Sequence, residues 1–296
     1  MSILLSKCKT LIVGSLTLDI LLKVDRLPTR EQDVNAEEQL FFAGGCAFNV
    51  YQAMRSCGSE PQMLTRMGKG MYAQELRSLI KEENDLLIEY GSEENGCCYC
   101  LIEEDGERSF ISVHGAEYIY PLTLIETLDL SNICYIYLCG IDLEEKKNQQ
   151  ILTVLKKISG IQLFFAPGPR CRNISNECWQ KLYDLHPILH LNEKEAYMLS
   201  GYQQAKEAIT RLYEKSNQMV IMTLGAKGSM AYDGKRIVHV PVSACVVKDF
   251  VGAGDAHAGA CLAMLEQHAN AEQMLRQANE LAAKAVERNG SFQVME

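Results

Sequence analysis

Short apolar runs alternating with helix-patterned stretches leave this chain few folds to choose from. Residues 10–14, 133–138, 161–165, 188–191 and 219–223 are compact and apolar, as strands buried on both faces are. Helical spacing marks residues 144–158, 193–199 and 205–214 between them. Successive strands joined through helices imply crossover connections, which predicts a mostly parallel sheet covered by helices on both faces. Residues 96–113 depart from this pattern. Cys98, Cys100 and Ile102 alternate with other residues, Asp105-Gly106 offers a tight turn, and Phe110, Ile111 and Val113 follow, which predicts a β-hairpin. Phe48, Val50, Tyr51, Ala53 and Met54 suit a buried helix over residues 46–56, stopped by Gly58. No internal repeat, low-complexity tract or Pro/Ser-rich linker divides the chain, so one α/β core with a β excursion is the economical reading.

Composition removes several classes of function. The 296 residues are 47% hydrophobic and 23% charged, which suits a globular chain and excludes a disordered or fibrous one. Asp and Glu number 38 against 29 Lys and Arg, a net charge of −9 with no basic stripe, so nucleic acid is not an expected partner. No run approaches the ~18 apolar residues of a membrane span. The N-terminus shows no signal-peptide cleavage pattern, so the 12 cysteines read as reduced thiols of a cytoplasmic protein. Cys97-Cys98-Tyr99-Cys100 holds a Cys-x-x-Cys spacing, but strand alternation favours packing over metal binding there.

The chemistry concentrates near residue 250. Gly252-Ala253-Gly254-Asp255 precedes a strongly helical, mostly apolar stretch with Ala256, Ala258, Ala260, Leu262, Ala263, Met264 and Leu265. The glycines should sit at a helix N-terminus, where free backbone N–H groups and the helix dipole favour an anion. Asp255 beside such a nest makes sense as a base taking a proton from a hydroxyl that attacks phosphorus held there. The same residues also suit a glycine-rich turn with Asp255 as a first-turn helix acid, which needs no catalysis. A dinucleotide fingerprint wants its third glycine where His257 stands, and Gly68-Lys69-Gly70 lacks what a P-loop requires.

Asp249-Phe250-Val251-Gly252-Ala253-Gly254-Asp255 resembles the C-terminal signature of the ribokinase-like (PfkB) carbohydrate and nucleoside kinases. Further segments agree with that family in order. Asp19 resembles its first-loop substrate aspartate, and Gly44-Gly45-Cys46-Ala47-Phe48-Asn49 its glycine-pair segment. Asn192-Glu193-Lys194-Glu195 is similar to its Asn-x-x-Glu, Thr223-Leu224-Gly225-Ala226-Lys227-Gly228 to its nucleotide loop, and Ala278-Asn279 with residues 286–290 to its closing helix.

The resemblance implies a three-layer α/β/α sandwich with a small β-sheet lid. It also implies ATP and Mg²⁺ as cosubstrates, with room for a monovalent cation, and transfer of the γ-phosphoryl group to a hydroxyl of a sugar-like substrate. Carried over by position, Asp255 is the base and the amides of Gly252, Ala253 and Gly254 form the anion hole. Asp19, Gly44, Gly45 and Asn49 hold the substrate. Asn192, Thr223, Gly225, Gly228 and Asn279 line the nucleotide, and Glu195 acts on the metal through water. Residues 25–42 and 96–113 then form the lid, and residues 1–24, 43–95 and 114–296 the core. An exposed lid edge invites a homodimer.

Each residue also has a plainer reading. Asp19 suits a turn acid, Asn49 a buried group satisfying backbone, and Asn192 with Glu195 a reciprocal helix cap. The chain departs from the family pattern at Phe250, usually threonine, and at His257, where an aromatic such as phenylalanine is frequent. Ala166-Pro167-Gly168-Pro169-Arg170 replaces an Asp-x-Asn-x-Arg segment and keeps only the arginine. His114 and Glu117 are alternative polar groups on that side. Two rival functions remain open at this point: a nucleoside or sugar-phosphate kinase of the same fold, and a non-catalytic sugar- or nucleotide-binding regulator.

Overall fold

The computed structural model describes residues 8–80, 85–248 and 250–287. The chain runs β1 (Lys9–Val13), β2 (Thr17–Val24), β3 (Ala36–Gly44), α1 (Cys46–Ser56), β4 (Gln62–Lys69), α2 (Met71–Leu79) and β5 (Leu86–Glu94). There follow β6 (Cys97–Ile102), β7 (Arg108–Val113), α3 (Leu122–Ile125), β8 (Ile133–Cys139), α4 (Gln150–Leu155), β9 (Gln162–Ala166) and α5 (Asn176–Tyr183). The last part holds β10 (Ile188–Asn192), α6 (Glu193–Ser200), α7 (Ala205–Ser216), β11 (Val220–Thr223), β12 (Ser229–Tyr232), β13 (Ile237–Val240), α8 (Ala253–Glu266) and α9 (Ala271–Val286).

The large sheet has nine strands in the order β13-β12-β11-β10-β9-β8-β1-β4-β5, parallel except where β12 meets β11 and β13. Period-two alternation divides its core. Ile12, Tyr137, Phe164 and Ile221 face α1, α2, α8 and α9. Leu11, Val13, Ile136, Leu138, Phe165, Leu189 and Val220 face the helices from α3 to α7. Trp179 packs in that second layer. A three-layer α/β/α sandwich results, as the apolar runs predict.

A second sheet of four strands, β3-β2-β6-β7, forms the lid. Its hairpin closes through Gly106 at φ 86°, as Asp105-Gly106 predicts. The lid takes more of the chain than expected. β2 leaves the main sheet after Ser15-Leu16 and pairs with β3 and β6. Residues 17–24, assigned above to the core, therefore lie in the lid sheet.

Two further expectations are corrected. The helix over 144–158 is reduced to α4 behind a 3-10 turn at Asp142–Glu144. The buried Asn148 side chain accounts for this, since its amide donates to the carbonyls of Tyr118 and Asp142 and its oxygen accepts from the Tyr120 N–H, which binds the segment to other backbone before a helix can start. The thiols are not uniformly reduced. Cys8 and Cys134 form a disulfide where β1 and β8 run side by side, with Cα atoms 5.6 Å apart. Other described cysteines are free thiols. Cys97 packs with Leu18 and Ile20, and by alternation Cys100 faces the opposite side of β6. No helix among the described residues is long and apolar enough to cross a membrane.

Candidate active site

The cleft opens at the C-terminal ends of the parallel strands, where β1 lies between β8 and β4 and the strand order reverses direction. Sheets of this kind bind ligands at that crevice. Gly14 ends β1 there. A Cβ on it would fall 2.6 Å from both Ala47 Cβ and the Asp142 carboxylate, so only a glycine lets α1 and the loop after β8 close over the strand end.

Two helices point their N-termini into this crevice. Gly45, at φ 96°, turns the chain into α1. Gly252, at φ 76° in the left-handed region, does the same for α8. In the first turn of α8 the Ala253 N–H donates to the Phe250 carbonyl, which takes it out of the anion hole expected from the Gly252, Ala253 and Gly254 amides. The N–H groups of Gly254 and Asp255 have no intrahelical acceptor, as at any helix start. Nothing lies within 4 Å of where a Gly254 side chain would sit, so an oxyanion can approach.

Asn49 of α1 donates through Nδ2 to Asp255 Oδ2 at 2.9 Å, joining positions 206 residues apart in sequence. Asp19, on the lid strand β2, folds its carboxylate onto the Gly44 backbone so closely that any side chain at residue 44 would collide with it. Burial pushes Asp255 up to about 6, with Glu195 adding to the rise and Asn49 opposing it. Burial and then the charge of Asp255 push Asp19 up to about 7. Glu195, buried, is also raised by loss of water. Asp142 is a fourth carboxyl, singled out by no motif. It is fully buried and pushed up to about 7 by desolvation, with Ser15 opposing. The crevice is thus poor in water and rich in carboxyl groups, an arrangement that favours a cation arriving with an anionic ligand.

The expected nucleotide side is more mixed. Asn192 and Glu195 form a reciprocal cap on α6. Asn192 Oδ1 accepts from the Glu195 N–H at 2.9 Å, while Glu195 accepts from the Asn192 N–H and Nδ2 at 3.1 and 2.7 Å. The capping reading therefore holds in full, with both Glu195 carboxylate oxygens engaged in it. Thr223 ends β11 beside the left-handed Gly225 and Gly228. A Cβ on Gly228 would lie 2.1 Å from the Val240 carbonyl, so this turn requires glycine. Asn279 is buried, its Oδ1 accepting from Ser229 Oγ and its Nδ2 donating to the Val240 carbonyl. These bonds hold α9 to β12 and β13. Asp249 and residues 288–290 of the matched segments lie outside the described residues.

The lid supplies the roof. Strand register sets Phe42, Asp19, Cys98 and Ser112 in one row, all on the face that carries Asp19. Arg170 donates to Ser112 Oγ at 3.3 Å and to Glu144 Oε2 at 3.1 Å, and its guanidinium lies 3.4 Å from His114 Nε2. His114 stacks on Tyr118 with ring centroids 3.7 Å apart. Glu117 is not available to a substrate, since it accepts the N–H groups of Gly96 and Gly115 and closes the base of the hairpin. The polar group between lid and core is therefore Arg170 with Glu144, Ser112 and His114. Phe250, 76% exposed, projects outward ahead of the anion nest.

A family-wide sequence model described as "pfkB family carbohydrate kinase" matches residues 8–295. The chain belongs to the pfkB family. A relative, the uncharacterised sugar kinase YegV of Escherichia coli, is 27% identical over 88% of this chain and 83% of its own. The crystal structure of ribokinase from Thermotoga maritima superposes with a TM-score of 0.80 at 25% identity, covering 96% of this chain and 94% of that one. Ribokinase of Arabidopsis thaliana, solved with ribose and ATP, gives a TM-score of 0.78 at 22% identity over 96% and 94% of the two chains. The sandwich with its small lid is thus the ribokinase fold.

Proposed function

We propose that the crevice transfers the γ-phosphoryl group of ATP to a hydroxyl of a small sugar. The contact between Asn49 and Asp255 carries this reading. It joins a buried carboxylate at the start of α8, beside the unengaged Gly254 and Asp255 N–H groups, to an orienting amide, and in-line phosphoryl transfer needs such a set. Family membership and the Arabidopsis structure with ribose and ATP support it.

Asp19 and Asn49 would hold neighbouring hydroxyls of the sugar and turn one toward the phosphate. Asp255 accepts that hydroxyl's proton at Oδ1 or Oδ2 as the bond to phosphorus forms. Its raised proton affinity, near pH 6, brings it closer to the pH of use than an ordinary carboxylate. The Gly254 and Asp255 amides take up charge on the migrating group. Thr223 and the turn from Gly225 to Gly228 would line the nucleotide. Glu195 would hold Mg²⁺ through water, and the ion would neutralise part of the phosphate charge. The lid, carrying Asp19, excludes water that would compete for the phosphoryl group.

An ADP-release assay over pentoses, hexoses and nucleosides, paired with thermal shifts, tests the reading. Asp255→Asn is expected to lower turnover by ~10²–10⁴ while the ligand-induced thermal shift persists. Near-parental turnover would reject Asp255 as the base. Release of ADP with nucleosides but no sugar would reject the substrate class.

A further inference from the structure

His257 turns away from the crevice into the core, 2% exposed, two residues after Asp255. Its Nδ1 lies 2.9 Å from Nε2 of His190 on β10 and 3.6 Å from Sγ of Cys261. The three groups lie within 4.8 Å of one another, and all three residues are buried. Local structure explains the meeting. His257 and Cys261 are four apart on α8 and share a face. His190 follows Ile188 by two on β10, so both point toward the layer that holds α8.

Hydrogen bonding alone does not account for the cluster. The two imidazoles share one bond, between His190 Nε2 and His257 Nδ1, while His257 Nε2, the other ring nitrogen, lies toward Asn279 and contacts neither partner. The Cys261 thiol meets only the nitrogen already engaged by His190. Polar groups in an apolar core are costly unless each finds a partner, and here the surroundings are the Phe164 ring, stacked on His190 at 5.9 Å, and the apolar face of α8.

We infer that His190, His257 and Cys261 form a binding site for a tetrahedral, thiolate-accepting divalent cation of the Zn²⁺ class beneath the first turn of α8. Bonds of ~2.0–2.1 Å to nitrogen and ~2.3 Å to sulfur give tetrahedral edges of roughly 3.4 Å between nitrogens and roughly 3.6 Å between nitrogen and sulfur. The separation between Cys261 Sγ and His257 Nδ1 already matches, His190 Nε2 lies within 4.8 Å of the sulfur, and the imidazoles need to part by about 0.5 Å. A fourth position is left for water, as in sites with three protein ligands. Burial holds both imidazoles neutral, which is the ligating form. The thiol proton leaves to solvent as the metal–sulfur bond forms, so binding releases a proton. The Asn279 amide beside the His257 ring would set its orientation. Such an ion would fasten α8, and with it Asp255, to β10. Neither the geometry nor its test depends on the phosphoryl-transfer reading.

The full-length protein is produced in cells supplied with Co²⁺ or Zn²⁺, desalted, and examined by elemental analysis, absorption spectroscopy and thermal melting. The expected result is a single equivalent of metal and a thiolate-to-cobalt charge-transfer band with d–d absorption of tetrahedral strength. The melting temperature should fall when a chelator withdraws the ion. Cys261→Ser should abolish the charge-transfer band. His257→Phe should abolish stoichiometric binding while refilling the volume with a ring, and Cys245→Ser should change neither. Metal-free protein from both cultures, or bands that persist in both Cys261→Ser and His257→Phe, would overturn the assignment.

Discussion

At the scale of the residue, the crevice trades stability for reactivity. Asp19 and Asp255 bind protons in the fold with midpoints of about 7 and about 6, against 3.8 in the unfolded chain. Between those values the folded protein carries more protons than the unfolded one, so stability falls as pH rises through that window and stays low above it. Asp19→Asn is therefore expected to melt about 2–4 °C above the parent at pH 8, the shift that roughly 1 kcal/mol produces in a chain of this order of size. The gap should close toward pH 4, and an equal gap at both pH values would show that ionisation is not its cause. Activity runs the other way. The base works ionised, so kcat/KM should climb with pH through about 6, and a flat profile from pH 5 to 8 would contradict the assignment of Asp255. Gly44 adds a steric constraint. Gly44→Ala would drive a methyl into the Asp19 carboxylate and should raise KM for the sugar more than it lowers kcat.

At the scale of the element, the contact between Asn49 and Asp255 depends on how α1 and α8 pack. Gly259 makes their approach possible, because a Cβ there would lie 2.6 Å from Ala53 Cβ and 2.8 Å from the Val50 carbonyl. Gly259→Leu should force the helices apart, cost ~1–3 kcal/mol of stability through overpacking, and lower turnover although it touches no substrate. Unchanged turnover in a destabilised Gly259→Leu protein would show that Asp255 is positioned by its own loop instead. Some elements were legible in the sequence and others were not. α1 spans Cys46–Ser56, matching the helix read from Phe48, Val50, Tyr51, Ala53 and Met54, because helical periodicity is local. The 3-10 turn before α4 could not be read, since it is fixed by Asn148 reaching backbone of Tyr118, 30 residues away.

At the scale of the whole molecule, the lid presents Leu40 and Phe110 on the face that carries Asp19, at 38% and 54% exposure. Its edge strands β3 and β7 are open. Apolar surface beside free strand edges invites a second copy. The protein is expected to sediment as a dimer, and Phe110→Lys to shift it toward monomer; a monomeric parent protein would refute this association. The sequence by itself determined the layered α/β architecture, the helical start at Gly252 and the carboxylate at Asp255, because strand alternation, helix periodicity and glycine turns are properties of neighbouring residues. It also held, in ordered short motifs, the groups that meet at the crevice. Only the tertiary structure decided that β2 joins the lid, that Asn279 bonds Ser229 and the Val240 carbonyl, that Asp142 is buried at the strand ends, and that His190 meets His257 and Cys261. Those outcomes rest on contacts between distant segments, whose geometry is set by how the sheet stacks its helices and carries no signature in any local run of residues.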